Sequence, residues 1–262
     1  METVIEGLRG FFPERDRREI LSFLYRWGLD RPGVFLGNRL REMKEAGYWE
    51  TVETFYRRYK KSWNGPSVPI FLFPIRSPWS LGGGKSGFTF PDKMFLFLPP
   101  SLGEKELEAL FIHEYHHACR LNALEKPIEK HTLLDSIIME GLAEFAVERS
   151  LGLEYVEKWT KRYRDRELAA AFVRLFRPNL FLPFGHPLHG KLLTGKNSVR
   201  PYLGYAVGLW LVRRAYGNRS FSVRDSIAIP AETIAEWAQM EIKEGKGRKG
   251  AGHIAENRQE KE

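Results

Sequence analysis

Phe111-Ile112-His113-Glu114-Tyr115-His116-His117-Ala118-Cys119-Arg120 is the stretch from which the rest of the chain can be read. His113 and His117 are four residues apart. On a helix they stand one turn above each other, so two imidazoles can meet one cation. Glu114 then projects to the side of the pair, within reach of a water held there. His116 lies off that line and is read as a bystander. The spacing requires a helix, and the flanks provide one. Leu107, Leu110, Phe111, Tyr115 and Ala118 form an apolar stripe. Pro99-Pro100 stops whatever precedes, and Ser101 with Glu104 has the spacing of a capping box.

Two histidines need a third protein ligand. Downstream candidates are His131, Asp135, Glu140 and Glu144. After Pro127 a second helix is expected, capped by Thr132 and running through Leu133, Leu134, Ile137, Ile138, Leu142 and Phe145 to near Gly152. Glu140 is the preferred ligand, because the line Leu133, Ile137, Glu140, Glu144 edges the apolar face. A carboxylate turned inward there calls for a metal or cationic partner. Gly141 costs about 1 kcal/mol relative to Ala in a helix interior. It is read as permitting a close helix approach that would bring Glu140 to the histidines. Glu144, one turn on, is placed to orient His113 or His117 through the ring's other N–H.

Outward from this core, residues 1–63 read as a helical N-terminal region, with one helix over Arg39–Lys61. Residues 64–242 read as a catalytic domain, and 243–262 as a disordered polar tail. Val68–Ile75, Phe88–Phe90 and Met94–Leu98 are β-like and predict a small sheet, with Gly82-Gly83-Gly84 in a turn or mobile loop. Further helices are expected over Glu154–Phe176, Tyr202–Tyr216 and Pro230–Ile242, with a Pro/Gly/His-rich loop over Arg177–Arg200.

Composition narrows the classes. Cys119 is the one cysteine, so no intrachain disulfide forms, and no partner base marks it as a nucleophile. No apolar run is long enough to span a membrane, and the N-terminus lacks a secretory signal, so a cytoplasmic location is expected. The net charge of +8 raises nucleic-acid binding. The basic clusters Arg57-Arg58-Tyr59-Lys60-Lys61 and Lys161-Arg162-Tyr163-Arg164 fit solvated helix faces, however, and no nucleic acid partner is expected. Gly84-Lys85-Ser86 lacks the upstream glycine of a phosphate loop: Trp79 stands there. Nothing in the sequence assigns an oligomeric state.

His113-Glu114-Tyr115-His116-His117 followed by Met139-Glu140-Gly141-Leu142-Ala143-Glu144-Phe145 resembles the gluzincin pattern. It is similar in particular to the bacterial YjaZ-like family of predicted zinc-dependent proteases. The likeness is specific over about residues 88–148 and fainter at 202–216. It implies an α+β, zincin-like fold: a small mixed sheet packed on the histidine helix, with a mostly helical remainder. It implies one Zn²⁺ on His113, His117 and Glu140, with Glu114 as general base and Glu144 supporting a ligand. An edge strand, Phe88–Phe90 or Met94–Leu98, would hold an extended peptide or protein substrate. Gly204-Tyr205-Ala206-Val207-Gly208 resembles a Tyr-bearing helix of related families. Tyr205 is therefore the first candidate to stabilise the oxyanion. Tyr202 is second, and His186 and His189 are rivals. The expected activity is peptide-bond hydrolysis. The alternative is a catalytically silent domain that binds polypeptide as a chaperone or adaptor.

Overall fold

The computed structural model describes residues 2–30, 33–75, 84–195 and 200–239. Gly82-Gly83 and the expected tail 243–262 lie outside them. The chain is α+β: ten named helices, a further helical stretch over residues 231–239, and one three-stranded sheet among the described residues. It divides into two compact units. Met1–Ala123 with Ala146–Tyr155 forms one, and Leu124–Phe145 with Val156 onward forms the other.

In the first unit, helices α1 (Glu2–Arg9), α2 (Arg17–Arg26), α3 (Val34–Glu45) and α4 (Tyr48–Trp63) precede strands β1 (Ile70–Pro74), β2 (Ser86–Phe90) and β3 (Lys93–Leu98). The strand order is β1-β3-β2, with β1 parallel and β2 antiparallel to β3. Strand alternation sorts the side chains. Phe71, Phe73, Phe88, Phe90, Phe95 and Phe97 share one face. There Phe88, Phe90 and Phe95 pack against Phe12 and Phe23, beside buried Leu8, Ile20 and Leu24 of the N-terminal helices. Met94, Leu96, Gly87 and Thr89 take the other face. Helix α5 (Glu104–Leu124) follows, its Phe111 and Tyr115 rings packed against Tyr59 and Trp63 of α4.

Two expectations for this unit are corrected. The helix predicted over Arg39–Lys61 is two helices, because Gly47 adopts a left-handed φ of 68° between α3 and α4. The cap of α5 is Gly103, not Ser101. The Glu106 carboxylate accepts the Gly103 N–H at 3.3 Å. The preceding loop wraps the buried Tyr48 hydroxyl, which accepts the Leu102 N–H at 2.6 Å and reaches the Pro99 and Pro100 carbonyls. That bond holds Leu102 out of the helix.

Helix α6 (Leu133–Leu151) begins in the second unit and ends in the first. The rest of the second unit includes α7 (Asp165–Ala171), α8 (Pro187–Thr194), α9 (Leu203–Ala215) and α10 (Val223–Ser226). Its core joins Ile137, Ile138 and Leu142 of α6 to Val207 and Leu211 of α9, with Ile234. Gly141 allows a close helix approach as expected, and within its unit the neighbour is α9. A Cβ on Gly141 would collide with the Gly208 backbone, and one on Gly208 with the Ile137 carbonyl.

The continuous helix predicted over Glu154–Phe176 is broken into a 3-10 turn at Lys158–Lys161, α7, and a π turn at Phe172–Phe176. The Glu157 N–H donates to the Glu144 carboxylate at 2.8 Å instead of to a carbonyl one turn back. The Arg164 N–H is likewise taken by Glu167, which restarts the chain as α7. The loop expected over Arg177–Arg200 contains α8. His186 caps it through Nδ1 and the Leu188 N–H at 3.1 Å, Pro187 opens it, and Gly195 closes it at a φ of 64°.

Candidate metal centre

Helix α5 displays His113 and His117 on one side, their rings edge to face with centroids 4.6 Å apart. His113 is half-buried and His117 buried. Glu140 of α6 completes a cluster: one ligand atom from each of His113, His117 and Glu140 lies within 4.8 Å of the other two. Ligand atoms on a tetrahedral zinc, at bonds of roughly 2.0–2.2 Å, stand about 3.4 Å apart. Side-chain rotation can supply that contraction. Two imidazoles and one carboxylate also form a donor set that leaves a coordination position open. These residues fit a metal ion.

The rival ligands have other work. Thr132 caps α6 as expected, its hydroxyl 3.3 Å from the Asp135 N–H. The Asp135 carboxylate returns the bond to the Thr132 N–H at 2.7 Å and pairs with Lys126 at 2.6 Å. Burial opposes its charge, but Lys126 and Thr132 outweigh that and hold the carboxyl below its ordinary value. His131 is buried, with Nε2 3.1 Å from the Lys126 carbonyl. Glu144 is buried and accepts the Glu157 N–H.

Glu114 sits beside the pair, and the sheet determines how. The Thr89 hydroxyl donates to Glu114 Oε2 at 2.6 Å. Gly87, two residues back on the same face of edge strand β2, leaves the space the carboxylate fills: a Cβ there would overlap the Glu114 side chain. Neither residue was singled out in the sequence. The signal was available in Ser86-Gly87-Phe88-Thr89-Phe90, whose alternation sends both Phe rings to the apolar core and both small residues to the opposite face.

The remaining candidates are placed as follows. His116 is fully buried against Trp63, and neither ring nitrogen has a hydrogen-bond partner among the described residues. Burial, then the neighbouring His117, Arg120 and His113, push its pKa well down, so it stays neutral. Burial pushes the Cys119 thiol up to about 12, which leaves no thiolate at neutral pH. His189 is buried with Nε2 3.0 Å from the Ser136 hydroxyl and Nδ1 near the Leu182 and Pro183 carbonyls. His186 is spent on the α8 cap. Tyr205 is half-buried, with its ring edge to face against Trp159 and Tyr202. Tyr202 is exposed and left-handed at the start of α9. Of the first basic cluster, Arg58 pairs with buried Glu108 at 2.6 Å and Lys60 bonds Ser67.

Comparison with known proteins agrees with this chemistry. The chain is 39% identical over 199 residues to the uncharacterized protein YjaZ of Bacillus subtilis (strain 168), covering 74% of this chain and 76% of that one. It is 23% identical over 214 residues to the uncharacterized protein YjfC of the same organism, covering 74% and 71%. No solved structure matches. Residues 48–236 match the family described as predicted Zn-dependent protease (DUF2268), and the chain belongs to that family.

Proposed function

We propose that this protein is a gluzincin-type zinc peptidase in which His113, His117 and Glu140 hold the ion. The observation that carries the reading is the convergence of these three ligand atoms, with Glu114 next to His113 on the same helix. Bound zinc supplies Lewis acidity to water and to a substrate carbonyl. The Glu114 carboxylate accepts the proton of the attacking water and passes it to the leaving amine. Thr89 and Gly87 hold that carboxylate in one place, which lowers the cost of orienting it. Strand β2 is an edge strand of the sheet among the described residues, and its outer side is the proposed pairing site for an extended peptide. Tyr205 is the proposed donor to the developing oxyanion, and Glu144 the proposed support for a ligand histidine.

The test is paired. Glu114→Gln should keep zinc, at about one ion per chain, and lose at least about a hundredfold in peptide cleavage. His113→Ala should lose both zinc and activity. A Glu114→Gln protein that cleaves like the wild type sinks the mechanism, and wild type without zinc sinks the site.

A further inference from the structure

We propose that the segment from Val173 to Leu188 seats this protein on an anionic lipid surface. Most large apolar side chains of the second unit are buried, but along this segment the pattern reverses. Phe181 is 73% exposed, Val173 57% and Phe184 53%, with Leu175 and Leu188 also exposed. Scattered exposed apolar residues are ordinary on a protein surface, but a local concentration marks a contact site.

The display is held in place. Phe172, Phe176 and Leu180 anchor the segment in the core. The Asn179 amide donates to the Leu175 carbonyl at 2.8 Å, and the Phe184 N–H to the His131 carbonyl at 2.7 Å. Buried His189 ties the Leu182 and Pro183 carbonyls toward Ser136. Phe181 and Phe184 are thus presented from an anchored loop.

Charge selects the occupant. From Leu168 to Arg224 the chain has nine Lys or Arg and no Asp or Glu. Outside that stretch it carries 32 basic and 33 acidic residues, so the whole positive excess lies within it. Exposed Arg174, Arg177 and Lys191 stand among the apolar residues. A second copy of this chain would set these cations against their own kind. A nucleic acid would satisfy the cations but offer nothing to Val173, Leu175 and Leu188. An anionic bilayer suits both: phosphates for the cations, and the acyl boundary for the apolar side chains. Among the described residues no helix is long and apolar enough to cross a membrane, so the attachment is peripheral.

The experiment is co-sedimentation of the full chain with vesicles. One set is phosphatidylcholine alone, and the other is equal parts phosphatidylcholine and phosphatidylglycerol. The wild type should pellet with the mixed vesicles and not with the neutral ones. Phe181→Ser/Phe184→Ser should weaken that binding about tenfold at unchanged charge, and Arg174→Glu/Arg177→Glu should abolish it. Circular dichroism checks folding, and Phe181→Ser alone, at the most exposed position, serves if the double variant is impaired. No binding to mixed vesicles overturns the proposal. So does equal binding by the Phe variants, which would reduce the effect to bare charge. A wild-type dimer that the Phe variants dissolve, or DNA binding that they abolish, reassigns the face and overturns it too.

Discussion

The decisive residue contacts are those that fix Glu114. A carboxylate on a helix has several rotamers, and a general base is useful in only one of them. Thr89 selects it by a hydrogen bond, and Gly87 by leaving a space no other residue leaves. Thr89→Val removes the bond while keeping the side-chain shape. It should lower kcat about tenfold, with zinc content unchanged and Thr89→Ser restoring the rate. Equal rates for Val and Thr would show that the bond positions nothing. Gly87→Ala makes a sharper case. Its new methyl meets the end of a flexible side chain rather than backbone, so the fold and the metal should survive while Glu114 is displaced. Activity should then fall by about one to two orders of magnitude, part of the roughly 10²–10⁴-fold that a general base contributes and that is proposed for Glu114. His113, Glu114 and His117 were legible because one helical turn dictates their relation. Thr89 and Gly87 were not, because their relation to Glu114 exists only once strand and helix are packed.

At the scale of elements, the helices that read correctly have both apolar periodicity and their own end signals. Helix α6 is the clearest: Thr132 caps it and Asp135 answers the cap. The Asp135 carboxyl is held below its ordinary value in the fold, so it binds its proton less readily there than in the unfolded chain. Its contribution is therefore fully present above about pH 4 and lost as pH falls through the lowered value. Asp135→Asn should cost about 1 kcal/mol at neutral pH, and the difference between variant and wild type in urea midpoint should shrink as pH drops toward 3. A constant difference would mean the charge is idle. Periodicity misleads where a side chain captures a backbone N–H, as Glu144 does at Glu157, because nothing local announces the capture. Gly141 shows another limit. The residue rightly signalled close packing, but a sequence cannot say with whom, and the partner is Gly208. Because a Cβ at Gly208 would strike the Ile137 backbone, Gly208→Ala should destabilise by about 1–3 kcal/mol. An unchanged melting temperature would contradict that packing.

For the whole molecule, the proposed ligand set would tie stability to metal. His117 and Glu140 are 23 positions apart on two different helices. An unfolded chain does not hold them together, so zinc held by this cluster would bind the folded state far better and stabilise it by RT ln(1 + [L]/Kd). At a thousandfold excess over Kd that is about 4 kcal/mol. For a chain of this size it corresponds to about 10 °C in melting temperature. A chelator should therefore lower the midpoint of the wild type by about that amount, and readdition of zinc should restore it. Glu114→Gln should respond as the wild type does, because Glu114 is not one of the three proposed ligands. His113→Ala and Glu140→Ala should start low and not respond. The contrast separates metal held by this cluster from metal lost adventitiously elsewhere. If Glu140→Ala melts like the wild type with zinc and without it, the carboxylate is no ligand, and the two histidines must find their third partner on another residue.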